Sequence, residues 1–349
     1  MTGGGTLGPA TPLITIAQEW KKREPAVHVS WIGTPKGPER TIVENAGYTF
    51  YSLRAPKFHR HRKWLWPFVP FLMLLSCMKA YKLLKKLRPE IIFSAGGYVS
   101  VPIVWMGKVL GIPSWIHQLD VKPGIANKAM APVAKRISVT WLDSLEEFPE
   151  KKTRQVGSLV RADIGHGDRR TVMERHHLDG DKPTLFVVGG GTGAQSINEV
   201  MEAIGPEIVK RANVIHITGY GKMTVGLEKI HERYVALEFL QKMDDYYAAA
   251  DVVISRAGMG TILELAALKK PTILIPNANA DQVANATRFE DANAGAVIYR
   301  INGQILKQEI ERLFLDVDRQ DEYADNISDL FIPHGEERIV REAMELIEH

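Results

Sequence analysis

Two short glycine-rich segments, Gly3-Gly4-Gly5-Thr6-Leu7-Gly8 and Gly189-Gly190-Gly191-Thr192-Gly193-Ala194, lie about half a chain apart, and each opens onto an apolar helical pattern. A glycine turn feeding a helix N-terminus suits phosphate. Backbone N–H groups can approach the anion where no Cβ intervenes, and the helix dipole favours negative charge there. One such loop is an ordinary strand-to-helix turn. Two at corresponding positions point to two nucleotide-fold domains facing each other across a cleft. Farther along, Ser255-Arg256-Ala257-Gly258-Met259-Gly260-Thr261 leaves a strand pattern and enters a helix that carries Glu264 one to two turns in. A carboxylate at that level can accept both hydroxyls of a ribose. Its neighbours Ile262, Leu263, Leu265 and Ala266 are apolar, which makes this a mostly buried helix and weakens the reading of Glu264 as a surface charge. A polar loop, 276–286, then starts another helix.

Strand and helix patterns alternate around these loops. Val27 to Ile32, Glu90 to Ser94, Pro113 to His117 and Ile137 to Trp141 read as strands, with helices at Pro12 to Glu24, Ser100 to Leu110 and Gly124 to Lys135. Thr184 to Val188, Asn213 to Ile217, Val235 to Leu240, Asp251 to Ser255 and Thr272 to Ile275 continue the series, with helices at Met259 to Lys269 and Val283 to Asn293. Repeated βα units imply parallel sheets covered on both faces, with ligands at the strands' carboxyl ends where strand order reverses. The expected divisions are 1–160, 161–334 and a terminal helix, 335–349, that packs back on the first domain. The second glycine loop has its strand in Thr184 to Val188. The first has only Met1 and Thr2 ahead of it, whereas a central strand needs about five residues. The first strand is therefore expected to be missing, with the natural start upstream.

The chain has 349 residues, 24% of them charged, and a net charge of +3, too small to argue for nucleic acid. A single cysteine, Cys77, excludes an intrachain disulfide and suits a reducing compartment; set in an apolar run, it reads as a small buried hydrophobe. Residues 57–88 stand apart. A basic run from Lys57 to Lys63 precedes Trp64, Trp66, Phe68 and Phe71, and Lys79, Lys82, Lys85, Lys86 and Arg88 follow. The apolar stretch is too short and too proline-broken to span a bilayer, but cations flanking aromatic rings are what an interfacial anchor on anionic lipid uses. No nucleic-acid recognition motif accompanies the basic residues.

Taken in order, Gly4-Gly5-Thr6-Leu7-Gly8-Pro9-Ala10-Thr11-Pro12, Gly96-Gly97-Tyr98-Val99-Ser100-Val101-Pro102, His117-Gln118-Leu119-Asp120, Gly157-Ser158-Leu159-Val160-Arg161, the loop at Gly189, Arg256 to Glu264, and Gln282-Val283-Ala284-Asn285-Ala286 resemble the motifs of the MurG family. These glycosyltransferases move N-acetylglucosamine from its UDP donor onto lipid-linked muramyl-pentapeptide. The resemblance covers nearly the whole chain. It implies an α/β protein of the GT-B fold: two Rossmann-like, doubly wound parallel-sheet domains facing across a cleft. It further implies donor contacts at Arg161, Gly190, Gly191, Thr192, Arg256, Gly258, Glu264, Gln282 and Asn285, and acceptor contacts at Gly4, Gly5, Thr6, Tyr98 and Asn127. The membrane face would be Trp64, Trp66, Phe68 and Phe71. The implied partners are UDP-N-acetylglucosamine, a lipid-linked acceptor and an anionic membrane surface. The implied location is peripheral, on the cytoplasmic face of the cell membrane. No cofactor is implied, and the sequence shows no metal-ligand cluster.

The acceptor half departs from the family. The first-loop histidine is Pro9 here, the adjacent glycine is Leu7, and the segment H-E-Q-N has become His117 to Asp120. An inverting transfer needs a base near the attacking hydroxyl. Asp120 is the expected replacement and His117 the second candidate, although a histidine there can serve as a structural hydrogen-bonder. The rival readings are a UDP-sugar transferase with another lipid or glycan acceptor, a UDP-sugar 2-epimerase, which would not need the Trp64 to Leu75 patch, and an inactive sugar-nucleotide-binding homologue.

Overall fold

The computed structural model describes residues 1–6, 8–57, 68–161, 164–190, 193–240, 242–277 and 281–348. Two compact units result: residues 1–162 with 332–349, and residues 163–331.

The first unit is built on strands β1 (Ser30–Gly33), β2 (Thr49–Ser52), β3 (Ile92–Ser94), β4 (Ser114–Gln118), β5 (Arg136–Val139) and β6 (Thr153–Gln155), all pairing in parallel. Between β1 and β3 lies Thr2, bridged to Ile32 on one side and Ser94 on the other. Its N–H donates to Phe93 O (2.7 Å), and Ile32 N–H donates to Met1 O (2.9 Å). The sequence leaves the first strand out; the structure finds its carboxyl end in Met1–Gly3, so the order β2-β1-Thr2-β3-β4-β5-β6 is doubly wound about Thr2. Helices α1 (Ala10–Arg23), α2 (Glu39–Asn45), α3 (Val69–Leu87), α4 (Ser100–Val109) and α5 (Ile125–Met130) supply the crossovers.

Successive strand residues point to opposite faces. Trp31, Phe93 and Trp115 enter one core with Leu13, Ile16 and Trp20 of α1, while Ile32, Ile92 and Ile116 enter another with Leu84 and Ile103. On α3 the buried stripe is Ser76, Cys77, Ala80 and Leu84, spaced to face α4, and burial raises the Cys77 thiol pKa. The helix read over Gly124 to Lys135 stops at Met130. Ala131 keeps helical dihedrals and still donates to Asn127 O, but Pro132 has no N–H with which to continue the ladder.

The second unit follows with α6 (Arg169–Arg175), β7 (Thr184–Val188), α7 (Gln195–Ile208), β8 (Asn213–Ile217), α8 (Val225–Glu228), β9 (Tyr234–Leu237), α9 (Asp244–Ala249) and β10 (Val252–Ser255). Then come α10 (Met259–Ala267), β11 (Thr272–Leu274), α11 (Gln282–Asp291), β12 (Ala296–Val297), α12 (Gly303–Leu315) and α13 (Val317–Asp329). Its parallel sheet runs β12-β11-β10-β7-β8-β9, so strand order reverses between β7 and β10. After Phe331 the chain returns to the first unit, where α14 (Gly335–Glu348) lays Ile339, Val340 and Ala343 against α1.

Ahead of Met1, a cavity of about 340 Å³ opens between β1 and β3, lined by Trp20, Val29, Leu84, Leu87, Ile91 and Ile103. The Met1 amino group donates to Ser30 O (2.8 Å) at its inner end, and burial lowers its pKa from 8.0 to about 5. An amine whose folded pKa is depressed is protonated first in the unfolded chain. Its contribution is therefore fully present above pH 8 and is lost as pH falls toward 5. His117 and His216, each with its pKa lowered by burial from 6.5 to about 3, add to the loss below pH 6.5. We expect that joining about five apolar residues ahead of Met1 extends the strand into the cavity and raises the melting temperature. It also removes the part of the acid slope that belongs to the amine, at most about 1.4 kcal/mol per pH unit. Thermal melts of both chains from pH 5 to pH 8 check this; superimposable curves would refute it.

Candidate active site

In the second unit the loops leaving β7 and β10 diverge at the point where strand order reverses, which is where a doubly wound sheet presents its ligand crevice. Gly193, at the start of α7, has φ +71°, and a Cβ on it would stand 2.2 Å from Thr218 O at the end of β8. Glycine alone lets the loop lie there. Gly193 N–H closes the turn on Gly190 O (2.9 Å), and the Lys222 ammonium caps Gly193 O (3.1 Å). Gly190 is described, with φ +83°; Gly191 and Thr192 lie outside the described residues.

Arg256 follows β10. Its Nη1 donates to Ile275 O (3.0 Å) and Pro276 O (3.4 Å) beyond β11, and its Nη2 to Ser196 Oγ (2.7 Å) in the first turn of α7. One guanidinium thus ties the ends of three neighbouring βα units, and burial lowers its pKa. Gly258 is the N-cap of α10, and α11 closes over the same turn. There Asn285 Nδ2 donates to Ala257 O (3.1 Å), and Gln282 Oε1 accepts from Asn277 N–H (3.0 Å). Glu264, half-buried in the second turn of α10, accepts from the hydroxyl of buried Tyr247 (3.1 Å). The structure therefore gathers Arg256, Gly258, Gln282 and Asn285 with the Gly190–Gly193 turn. Arg161 belongs to the other unit. Ser196, Lys222 and Tyr247 were not singled out from sequence. Ser196 carried a signal, a hydroxyl in the first turn after a glycine loop; the other two are joined to the site only by the fold.

The first unit has a counterpart at Thr2. The loop 3–6 enters α1 behind Pro9, and the turn 95–99 enters α4. Gly97 has φ +92°, and a Cβ on it would stand 2.5 Å from Gly4 O, so the two loops press backbone to backbone. Glu39, fully buried and unremarked in the sequence, reaches this place from the start of α2. Its carboxylate accepts from Thr34 N–H (2.7 Å), Thr34 Oγ1 (2.6 Å) and Gly5 N–H (3.3 Å). The Gly5 amide expected to meet a ligand anion is thus already paired with an anion of the chain itself. Tyr98 packs its ring against Gly5; burial raises its pKa, and the Glu39 charge raises it further.

At the carboxyl end of β4, His117 is tied at both ring nitrogens: Nδ1 lies 2.9 Å from Ser138 Oγ and Nε2 3.2 Å from Thr140 Oγ1. Burial lowers its pKa to about 3, so the ring is neutral and enclosed. Both of its ring nitrogens are thus engaged by hydroxyls, and Asp120 lies half-buried just past the strand. Asn127 is buried beside it, donating to His117 O (3.2 Å) and Gln118 Oε1 (2.6 Å).

On α3 the residues not used by the core form an apolar face: Phe68, just ahead of the helix, is 59% exposed, Phe71 62% and Leu74 60%, with Leu72 and Met78 beside them. Lys79, Lys82, Lys85 and Lys86 are exposed along the rest of the helix. Trp64 and Trp66 lie outside the described residues. Among the described residues, no helix is long and apolar enough to cross a membrane. His334, Glu336 and Glu337 bring possible ligand atoms within 4.8 Å of one another, a grouping the sequence does not announce.

Comparison with known proteins agrees across the whole chain. Residues 1–139 match the glycosyltransferase family 28 N-terminal domain, and residues 184–339 match the family 28 C-terminal domain. A UDP-N-acetylglucosamine--N-acetylmuramyl-(pentapeptide) pyrophosphoryl-undecaprenol N-acetylglucosamine transferase from Lachnospira eligens is 37% identical over 323 residues, 90% of each chain. One of the same name from Geobacillus thermodenitrificans is 34% identical over 91% of each. The crystal structure of Acinetobacter baumannii MurG superposes with a TM-score of 0.75 at 22% identity, covering 100% of this chain and 98% of that one. The calicheamicin glycosyltransferase CalG4 gives a TM-score of 0.71 at 15% identity, covering 100% of this chain and 97% of that one, which bears on the fold alone. Two parallel-sheet units of the GT-B type, glycine turns where strand order reverses, and family models matching both halves lead to one conclusion: the chain is a glycosyltransferase and belongs to family 28.

Proposed function

We propose that this enzyme transfers N-acetylglucosamine from UDP-N-acetylglucosamine to a lipid-linked muramyl-pentapeptide, the transfer named in its relatives and a step of peptidoglycan synthesis. The observation that carries the reading is Arg256, whose guanidinium joins Ser196 at the start of α7 to the strand end at Ile275 and Pro276. A fixed positive charge beside a glycine loop and the N-terminus of a 14-residue helix is suited to a diphosphate leaving group. Glu264 would accept the ribose hydroxyls, Gln282 and Asn285 would face the sugar, and Gly190, Gly191 and Thr192 would cradle the phosphates. Arg161 is a further donor contact in this reading.

In the reaction an acceptor hydroxyl attacks the anomeric carbon, the bond to the diphosphate breaks, and UDP departs with the electron pair, inverting the centre. The hydroxyl proton passes to a base, for which Asp120 is our candidate. The acceptor would lie near Gly4, Gly5, Thr6, Tyr98 and Asn127. The Gly5 amide is shared with Glu39, so the remaining amides of that loop and of α4 would bear most of the acceptor's charge. The exposed face of α3, with Trp64 and Trp66, would rest on an anionic membrane at its cytoplasmic side, where apolar rings enter the headgroup layer and the lysines meet phosphate. That face favours a lipid-linked acceptor over the epimerase reading.

Three outcomes are expected. Glu264→Ala weakens UDP binding by more than ~1 kcal/mol in calorimetric titration, as for the loss of charge-assisted hydrogen bonds to hydroxyls; unchanged affinity in a folded variant removes Glu264 from the site. Asp120→Asn lowers kcat by about 100-fold or more while UDP affinity holds; a variant turning over at the normal rate places the base elsewhere. The enzyme co-sediments with vesicles containing anionic lipid, less so in high salt or after Trp64→Ser/Trp66→Ser. Sedimentation indifferent to both changes would mean that this face does not meet lipid.

A further inference from the structure

We infer that Gln118 is a positioning residue for the acceptor, one that sets which atom of Asn127 the acceptor meets; this rests on the reading of Asn127 as an acceptor contact. Gln118 Nε2 spends its two hydrogens on Asp120 O (2.7 Å) and Lys122 O (3.2 Å), the backbone of the loop that follows β4. Its Oε1 is thereby turned to accept from Asn127 Nδ2 (2.6 Å), whose second hydrogen goes to His117 O (3.2 Å). The chain has one self-consistent arrangement of these two amides. Reversing Asn127 would set its oxygen against two acceptors, and reversing Gln118 would set its oxygen against two carbonyls.

The consequence is an orphan. Asn127 is 5% exposed, and its Oδ1 is buried with no hydrogen-bond partner in the protein. A side chain at Gly96 would stand 3.3 Å from that oxygen, so it faces the turn that presses on the first glycine loop and starts α4. A buried carbonyl oxygen without a donor forfeits a bond it had in water, and proteins seldom retain one without use. What it lacks is a donor: a hydroxyl or amide N–H of the acceptor, admitted as the Gly96–Gly97 turn adjusts. At this position the family carries a carboxylate, which could also accept from Asn127 but could not hold the loop at Asp120 and Lys122. In this chain the amide does both, and so couples the placement of Asp120 to the orientation of Asn127.

The test uses the full chain with UDP-N-acetylglucosamine and a short-chain analogue of the lipid-linked muramyl-pentapeptide. Gln118→Met keeps the bulk and removes donor and acceptor alike. Gln118→Glu keeps an acceptor for Asn127 and releases the loop. Expected for Gln118→Met is a fall of about tenfold in kcat/KM for the acceptor, with UDP affinity by calorimetry within about twofold of the original. Gln118→Glu should recover most of that loss. Normal acceptor kinetics in Gln118→Met overturn the inference, as does a Gln118→Glu variant no better than Gln118→Met, since then the loop tethers alone matter. Asn127→Ala separates the two levels. If it leaves acceptor kinetics intact, the acceptor reading itself fails; if it is impaired while Gln118→Met is not, the positioning role alone fails.

Discussion

A parallel strand cannot be joined to its neighbour by a tight turn; the chain must cross a face of the sheet through a helix and come back. Both units obey this throughout, and the location of the chemistry follows from it. Crossovers on both faces require the order of strands to reverse once, at β7 and β10 in one unit and at Thr2 and β3 in the other. At those points two outgoing loops part company, and each ends at the N-terminus of a helix. The glycines are there because the loops must lie against neighbouring backbone, Gly193 on Thr218 and Gly97 on Gly4. Amides not spent on secondary structure collect in the same places. Phosphate chemistry is thus the use to which such a sheet lends itself, before any particular side chain is considered.

The two units meet the surplus of amides differently. In the second, a cation is built in: Arg256 ties three loop ends together and leaves the anion to be supplied by a ligand. In the first, an anion is built in: Glu39 takes the Gly5 amide and both donors of Thr34. A loop of the same composition therefore presents a different electrostatic face in each half. This is in keeping with the proposed division between a half that grips a sugar nucleotide and a half that accepts a longer, lipid-bearing molecule.

What the sequence disclosed, and what it withheld, divides along the same line. The residues proposed for the donor were legible because their motifs are local: a glycine loop, its strand, and a helix with a carboxylate at fixed spacing. The partners that hold them were not, since Tyr247 reaches Glu264 and Lys222 reaches Gly193 only once strands are ordered. Glu39 looked like any helix-initiating acid. The ring of His117 offered two readings, and the hydroxyls of Ser138 and Thr140 that meet it come from later strands that the sequence does not place beside it. Strands escaped notice where burial was incomplete or the run short. Thr49–Ser52 lies at a sheet edge with both ends exposed, and Ala296–Val297 is two residues long. Of the first strand, only the bridges at Thr2 are formed, and the cavity ahead of Met1 occupies the place of the rest.

The return of the chain to its first unit bears on how the molecule is made. Ser158 N–H donates to Ile332 O and Gly335 N–H to Ser158 O, so the strands of chain leaving and re-entering that unit lie side by side, and everything between them is an insertion. A ribosome that has finished the insertion still holds back α14, and with it the three side chains that cover Leu13, Ala17 and Trp20. The half synthesised first is the half completed last. Until α14 has been made, the nascent form carries an open apolar groove along α1, a surface of the kind chaperones hold. Quality control in the cell would then act mainly on the amino-terminal half, although the defect that triggers it could lie in α14.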